Sequence, residues 1–215
     1  MSIMNAIQRH IVSIGLVLAA FAIGASSVVV ITEQATRQKI LDNERQTLLN
    51  AINILIPTQQ YNNDILADTL EIAANSQLAT TKPTTVYRAR RDDKAIAAVF
   101  TSIAPDGYSG KIKLLVGVYH NGDLAGVRVI SHKETPGLGD KVDARKSDWI
   151  SHFSGLSLNE PKTEYWQVKK DGGHFDQFTG ATITPRAVIK AVKNALLYFE
   201  AHRDELFRSH NEQTQ

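Results

Sequence analysis

The hydrophobic pattern begins with a long apolar run that continues into a striped helix. Residues 11–31 contain no charged side chain, and such a run is long enough to cross a bilayer as a helix. Residues 36–56 lack Gly and Pro, and Leu41, Leu48, Ile52 and Leu55 form one apolar stripe that ends before Pro57. The pattern therefore predicts a membrane anchor followed by a helix that leaves the membrane.

A cleaved signal peptide is the alternative interpretation of the apolar run, because residues 24–27 are small, as at a processing site. Apolar regions of signal peptides span only about 7 to 15 residues, which favours an uncleaved anchor. The flanking charges do not fix the orientation, since Arg9 precedes the run whereas Arg37, Lys39 and Arg45 follow it.

Beyond residue 82 the pattern changes to short runs rich in Val and Ile. Five of these runs, separated by turn signals, predict strands at residues 85–90, 95–101, 111–118, 124–130 and 163–168. Asn121 and Gly122 predict a hairpin between two of them. Helices are predicted at residues 141–153 and 185–208, with a helical or mixed stretch at 64–74. We therefore expect an α+β protein, in which an N-terminal transmembrane helix precedes one domain with a largely antiparallel sheet packed by helices.

These patterns divide the chain into five expected parts. They are an N-terminus at residues 1–10, a transmembrane helix at 11–31, a helical connector at 32–82, a folded domain at 83–208 and a polar tail at 209–215.

Composition excludes several classes of function. The absence of Cys argues against thiolate-held iron–sulfur clusters, thioether-linked haem and structural disulfides. A net charge of only +2, without a basic run, argues against a nucleic-acid partner. The seven His residues lack the spacing of a zinc site, so no metal is expected. No nucleophile motif identifies a catalytic residue, and the glycines at 137 and 139 lack the third glycine of a dinucleotide fingerprint.

One stretch, residues 176–185, combines features that suit a phosphate ester. Thr184 and Pro185 resemble a helix N-cap and the first helical residue, so a helix is predicted to start there. The amino end of a helix favours a phosphate. Gly180 and Ala181 leave space beside the backbone, and Thr182 adds a hydroxyl. The alternative is that these threonines are only cap and turn residues.

The same stretch resembles a known modification motif. Asp176, Thr179, Gly180, Ala181 and Thr182 follow the pattern D-x-x-T-G-A-T. This pattern resembles the flavinylation motif of the FMN-binding domain in the G subunit of Rnf (Rsx) electron-transport complexes and in the C subunit of sodium-pumping NADH:quinone reductases. The resemblance covers most of the chain, from the anchor through residues 134–139 to the closing helix. It implies an FMN joined to Thr182 by a phosphoester bond.

The resemblance also implies a binding site for the flavin ring in the loop at 132–142. Its implied contacts come from that loop and from the turn before the third predicted strand: Glu134, Thr135, Pro136, Gly137, Leu138, Gly139, Tyr108, Ser109 and Gly110. Lys141 is a further candidate, because its charge would favour a reduced, negatively charged flavin. Without the resemblance, Pro136, Gly137 and Gly139 favour a tight connection from strand to helix, and the resemblance reverses this preference.

By resemblance, the protein is an electron-carrying subunit in the bacterial inner membrane with one span and a periplasmic FMN domain. Its implied partners are the other subunits of the complex, membrane lipid and a flavin transferase that uses FAD and magnesium. The chain alone would turn over no substrate, and catalysis would belong to a redox-driven ion translocase. The alternatives are the C subunit of a quinone reductase, a freestanding anchored flavoenzyme domain, and a structural module without a cofactor. Length favours the Rnf-type subunit.

Overall fold

The computed structural model describes residues 2–208, with side chains from residue 11 onward except that of Gln38. The predicted polar tail at 209–215 lies outside the described residues. The chain divides into two compact units, Met1–Leu48 and Leu49–Gln215.

The first unit is the larger part of a single helix, α1 (Ser2–Leu55). Its segment Ile11–Leu55 is long and apolar enough to cross a membrane. Phe21, for example, is 79% exposed, which suits a side chain that contacts lipid rather than protein. The predicted span and the predicted helix at 36–56 are therefore parts of one continuous element.

The second unit is built on a five-stranded sheet. Its strands are β1 (Thr69–Ile72), β2 (Thr84–Arg91), β3 (Lys94–Ala104), β4 (Ile112–Tyr119) and β5 (Leu124–Ser131). They pair in chain order, and each neighbouring pair is antiparallel. The α+β prediction is confirmed, as are the four predicted strands from 85 to 130.

The turns of two hairpins, β2–β3 and β4–β5, differ in their residues. Between β2 and β3, Asp92 and Asp93 have φ values of 50° and 62°, a conformation that Asp tolerates better than most residues. Between β4 and β5, Gly122 has a φ of 98° and its N–H donates to the Tyr119 carbonyl at 2.9 Å. The hairpin predicted from Asn121 and Gly122 is confirmed.

Both faces of the sheet are covered, by different helices. Helix α2 (Ile183–Phe207) packs against β3 and β4, where Phe100, Leu114 and Val192 belong to one buried cluster. On the other face, the end of α1 approaches β4 closely: a Cβ at Gly117 would lie 3.3 Å from the Leu55 Cβ. Glycine at this position therefore lets helix and sheet meet.

The carboxyl end of α2 is tied to the edge of the sheet by two arginines. The Arg88 side chain is buried and donates to the Arg208 carbonyl at 2.6 Å, while Arg90 donates to the Phe207 carbonyl at 2.8 Å. Asp68 accepts hydrogen bonds from both guanidinium groups, at 2.6 and 2.8 Å. This network fixes one end of α2, and so helps to set where its amino end lies.

Three predicted elements differ in the structure. Residues 64–74, predicted as helical or mixed, contain a turn followed by the edge strand β1. The strand predicted at 163–168 is wrong, because Thr163–Tyr165 forms a short 3-10 helix. The Trp166 N–H donates to the Thr163 carbonyl at 3.4 Å, a local turn bond in place of a ladder bond, and its indole N–H donates to the carbonyls of Ser157 and Pro161 at 3.2 and 3.1 Å.

The helix predicted at 141–153 is also wrong. Two 3-10 helices, Gly139–Val142 and Trp149–Phe153, occupy this region. Asp143 between them is extended, and its carboxylate accepts the Arg145 backbone N–H at 2.9 Å. Such local side-chain bonds compete with helical ones, so the two turns do not join into an α-helix.

Candidate functional site

The hydroxyl of Thr182 lies at the amino end of α2. The helix runs Ile183–Phe207, Thr182 is the residue before it, and the Thr182 side chain makes no capping hydrogen bond. The first N–H groups of a helix have no intrahelical acceptor, and the positive end of the helix dipole lies with them. Thr182 therefore offers a hydroxyl beside groups that favour an anion.

The prediction that Thr184 is the N-cap of this helix is wrong. Thr184 lies inside the first turn, is fully buried, and donates its hydroxyl proton to Oε2 of Glu134. Pro185 is accordingly the third helical residue, where its missing N–H costs nothing. The helix starts two residues earlier than predicted.

A tight turn leads into Thr182, which is half-buried. The Ala181 N–H donates to the Phe178 carbonyl at 3.0 Å, and Gly180, third in this four-residue turn, has a φ of 78°. Glycine is the residue that adopts this conformation without steric cost. Gly180 is therefore required by the turn itself, whereas Thr179 beside it is exposed.

The turn is anchored to the core by aromatic contacts. The ring of Phe178 is buried, with its centroid 5.1 Å from that of Trp149 in an edge-to-face arrangement. The Trp149 indole N–H donates to the Asp176 carbonyl at 2.8 Å. Buried aromatic pairs of this kind add about 0.5–1.5 kcal/mol beyond their area burial, so the segment before Thr182 is firmly held.

Ion pairs fix the surroundings of the turn at the surface. The Asp176 carboxylate lies 2.7 Å from Nζ of Lys169. Arg186, in the first turns of α2, donates two hydrogen bonds to Asp171, at 2.7 and 2.6 Å. These pairs are exposed and contribute little stability individually, but they orient the segment on both sides of the turn.

Glu134 connects three separate segments of the site, and we call this arrangement the Glu134 bridge. Its carboxylate is buried, with Oε1 accepting the Ser109 N–H at 2.9 Å and Oε2 accepting the Thr184 hydroxyl. The bridge thus joins the turn between β3 and β4, the loop after β5 and the amino end of α2. Hydrogen bonds to a charged group contribute about 1.5–3 kcal/mol each, so these contacts hold the segments together.

Gly139 leaves room for the Glu134 bridge. A Cβ at this position would lie 2.7 Å from the Thr184 Oγ1 and 2.9 Å from Oε2 of Glu134. Real Cβ atoms do not approach other atoms so closely, and the oxygens are fixed by their own hydrogen bond. Any side chain at residue 139 would therefore displace the bridge.

A second chain of polar contacts lies behind the loop. The Glu134 N–H donates to Nδ1 of His132 at 3.2 Å, and Nε2 of His132 lies 3.8 Å from Oδ2 of Asp143. The hydrogen bonds from Arg145 lower the pKa of Asp143 to about 2. Because this pKa lies below its ordinary value, the stabilising contribution of Asp143 is complete above about pH 4 and is lost as the pH falls towards 2.

The joined segments enclose a cleft of about 260 Å³. Three large apolar side chains at its edge remain exposed: Tyr108 by 68%, Leu138 by 42% and Ile183 by 48%. The full lining is Tyr108, Glu134, Thr135, Leu138, Gly139, Gly180, Ala181, Thr182, Ile183 and Thr184. A cleft with an apolar edge and a few polar groups is typical of a site for an organic ligand.

The structure brings together most of the residues predicted for the site. Eight of them line the cleft: Tyr108, Glu134, Thr135, Leu138, Gly139, Gly180, Ala181 and Thr182. The other predicted residues lie outside the lining and are Ser109, Gly110, Pro136, Gly137, Lys141, Asp176 and Thr179. Ser109 supports the site through its N–H bond to Glu134, and Asp176 through its contacts with Trp149 and Lys169.

Two residues of the cleft lining were not predicted as part of the site. Ile183 and Thr184 both line the cleft, whereas the sequence pattern assigned Thr184 only a capping role. The only sequence signal that could have placed them in the cleft was their position directly after Thr182. The partner of Thr184 could not be found from the sequence, because Glu134 is fifty residues away in the chain.

Two parts of the chain match models of known protein families. Residues 107–197 match the model of the FMN-binding domain, and residues 1–55 match the model of the RnfG N-terminal region. A protein of Pseudoalteromonas atlantica, named as the G subunit of an ion-translocating oxidoreductase complex, is 46% identical over 198 residues, which cover 92% of each chain. Proteins of the same name from Vibrio cholerae and Shewanella piezotolerans are 45% and 43% identical, covering 92% and 93% of this chain and 94% of their own length.

Thr184→Val is expected to destabilise the domain, because it keeps the shape of the buried side chain but removes a donor to the Glu134 carboxylate. The free energy of unfolding should fall by about 1.5–3 kcal/mol. Denaturant unfolding of the full chain in detergent, followed by tryptophan fluorescence, measures this change. Thr179→Val is the matched control at an exposed position and should change stability by less than about 0.5 kcal/mol. Equal effects of the two substitutions would contradict the role of the bridge.

Proposed function

The chain belongs to the family formed by the G subunits of ion-translocating oxidoreductase complexes, and we propose that it carries FMN covalently on Thr182 and relays electrons within such a complex. The match to the FMN-binding domain covers the whole cleft. The observation that carries the proposal is the cleft itself. In it, the Thr182 hydroxyl at the start of α2 makes no capping hydrogen bond and lies beside an exposed apolar edge. The hydroxyl at the helix start is complementary to the phosphate of FMN, and the apolar edge is complementary to its ring.

Thr182 is the proposed attachment residue because it lines the cleft and its hydroxyl makes no capping hydrogen bond. Thr179 is exposed outside the lining, and Thr184 is buried with its hydroxyl engaged by Glu134. The amino end of α2 stabilises a phosphate on the neighbouring hydroxyl. The geometry thus favours Thr182 over both neighbouring threonines.

The flavin ring is proposed to lie against Leu138, Tyr108 and Ile183. Burial of an apolar ring against these side chains is favourable at about 25 cal/mol per Å². The cleft, at about 260 Å³, is smaller than the roughly 300–1,000 Å³ typical of pockets that enclose a ligand. The ring edge would therefore stay open to a partner, as an electron carrier requires.

Attachment requires a second protein. A threonine hydroxyl is a weak nucleophile at neutral pH and needs activation, and the cleft lining offers no free base, because both oxygens of Glu134 accept hydrogen bonds. We propose a transferase that uses FAD and magnesium. The Thr182 oxygen would form a bond to the FMN phosphorus, the bond to the adenylate would break, AMP would leave, and the hydroxyl proton would pass to the transferase.

The bound FMN would supply one- and two-electron redox chemistry. The residues of this chain position it: the Glu134 bridge holds the loop, the turn and the helix start in register, and Gly139 preserves the space for that bridge. Enzymatic turnover is accordingly assigned to the complex and not to this chain alone. The match of residues 1–55 to the RnfG N-terminal region favours the Rnf-type complex over the quinone reductase.

The domain is proposed to face the periplasm from a single span in the bacterial inner membrane. An alkaline phosphatase reporter fused after Gln215 should be active, because this enzyme folds only after export. A fluorescent protein fused at the same position should be dim if its chromophore forms in the cytoplasm but not after export to the periplasm. The reverse pattern would overturn the orientation.

Thr182→Ala should abolish covalent flavin while leaving stability within about 0.5 kcal/mol, since this hydroxyl caps nothing in the helix. Flavin fluorescence of the denatured protein in a gel measures attachment. Mass spectrometry of tryptic peptide 171–186, which contains all three threonines, locates it. The control Thr179→Ala tests the transferase's dependence on the motif without altering the acceptor. FMN on Thr179 or Thr184, or on the Thr182→Ala protein, would exclude Thr182.

Leu138→Asp should leave FMN attached but shift its absorption bands and lower its reduction potential, because a negative charge beside the ring opposes added electrons. Redox titration of the purified protein, followed by absorbance, measures both effects. Leu197→Asp is the matched control, since Leu197 is exposed by 36% on α2, outside the cleft lining. Identical spectra and potentials in the two variants would exclude this loop as the ring site.

A further inference from the structure

A group of basic side chains gathers at one end of the sheet, and we call it the basic rim. Its members are Lys111, Lys113, Arg128 and Lys133. The three lysines are exposed and Arg128 is half-buried. Lys113 of β4 pairs in register with Ser131 of β5, two residues before Lys133, so the two strands bring these residues together.

One member of the basic rim, Lys113, points to the sheet face opposite α2. Ile112 and Leu114 belong to the buried cluster that includes α2, and side chains alternate along a strand, so Lys113 points to the other face. On that face the end of α1 covers Gly117, four residues further along β4 and about 13 Å away. The Lys113 side chain lies beyond this contact and is exposed.

The positive charge of the basic rim is not compensated within the residues that the structure describes. Strands β3, β4 and β5 contain no Asp or Glu. Three acidic side chains that are close to the basic rim in the chain are engaged elsewhere: Asp106 pairs with Lys190 at 2.7 Å, Asp143 pairs with Arg145, and Glu134 is buried in its bridge. None of the ion pairs in this described part includes a member of the basic rim.

The basic rim adjoins the mouth of the cleft. Lys111 is three residues from Tyr108, and Lys133 immediately precedes Glu134, and both of these neighbours line the cleft. Three residues of extended chain span at most about 10 Å. Lys111 and Lys133 therefore lie at the same end of the sheet as the cleft, within reach of a protein partner that covers its exposed apolar edge.

We propose that the basic rim docks an acidic surface of another protein subunit over the cleft, so that its redox centre meets the open edge of the flavin. The inference rests on the proposed function, because it takes the cleft to hold FMN. An apolar centre bordered by charged side chains is the arrangement of protein–protein interfaces. Complementary charge also orients an approaching partner and raises its association rate.

Charge reversal in the assembled complex tests this docking. A variant with Lys111→Glu, Lys113→Glu and Lys133→Glu is compared with a control of equal charge change, Lys82→Glu, Lys94→Glu and Lys162→Glu, at lysines outside the basic rim. The probe is the complex purified without this subunit, to which the full-length chain in detergent is added back. Binding at low salt should weaken by about tenfold or more in the first variant, and by less than about twofold in the control.

Covalent flavin per chain is measured in every sample. Unchanged flavin with weakened binding is the expected result. If wild-type chains carry no covalent flavin, the proposed function is wrong. If the first variant carries normal flavin and binds the complex as tightly as wild type, the docking proposal is wrong and the proposed function stands. Substitution of the same lysines by Gln, which removes charge without reversing it, should weaken binding to a smaller extent. A Gln variant as weak as the Glu variant would contradict an electrostatic origin.

Zero-length carbodiimide cross-linking identifies the partner surface in intact membranes. The reagent joins a lysine amine to a carboxyl group with loss of water, so it links only groups in direct contact. Mass spectrometry should find Lys113 or Lys133 joined to Asp or Glu of another subunit, with a yield that falls at high salt. If the first variant instead loses only its binding to phosphatidylglycerol vesicles and still joins the complex normally, the basic rim binds lipid and the proposal is wrong.

Discussion

The site depends on one buried carboxylate. Glu134 accepts the Ser109 N–H and the Thr184 hydroxyl, and these two donors come from segments that are far apart along the chain. Leaving a buried carboxylate without donors costs far more than its hydrogen bonds contribute when they are made. The loop after β5, the turn before β4 and the start of α2 are therefore fixed relative to one another, and the cleft exists only where all three meet.

The remainder of the second unit sets the position of the helix that supplies Thr184. Arg88 and Arg90 hold the last carbonyls of α2, and the buried cluster beneath Val192 holds its middle. At the amino end, Arg186 is paired with Asp171. A helix held at both ends and along its apolar face keeps its first turn in place without help from a ligand, which makes the site largely preorganised.

The sequence was most informative where structure is local. The strands from 85 to 130 and the hairpin at Gly122 follow from alternation and turn chemistry, and both were confirmed. Prediction failed where distant partners compete with local ones. Thr184 has the sequence signature of a cap, but Glu134 takes its hydroxyl; Trp166 sits in a strand-like run, but its indole bonds to Ser157 and Pro161. The cleft contacts of Ile183 and Thr184 were missed because they depend on where the helix begins.

The crowding around Gly139 makes the substitutions tolerated at positions 134, 139 and 184 depend on one another. Because a side chain there would collide with the Thr184 hydroxyl and the Glu134 carboxylate, a mutation at residue 139 is tolerable only after residue 134 or 184 has shortened. Either of those changes first removes a hydrogen bond from a buried group. A side chain at residue 139 therefore becomes tolerable only through an intermediate that has already lost a buried hydrogen bond, which couples the substitutions allowed at the three positions.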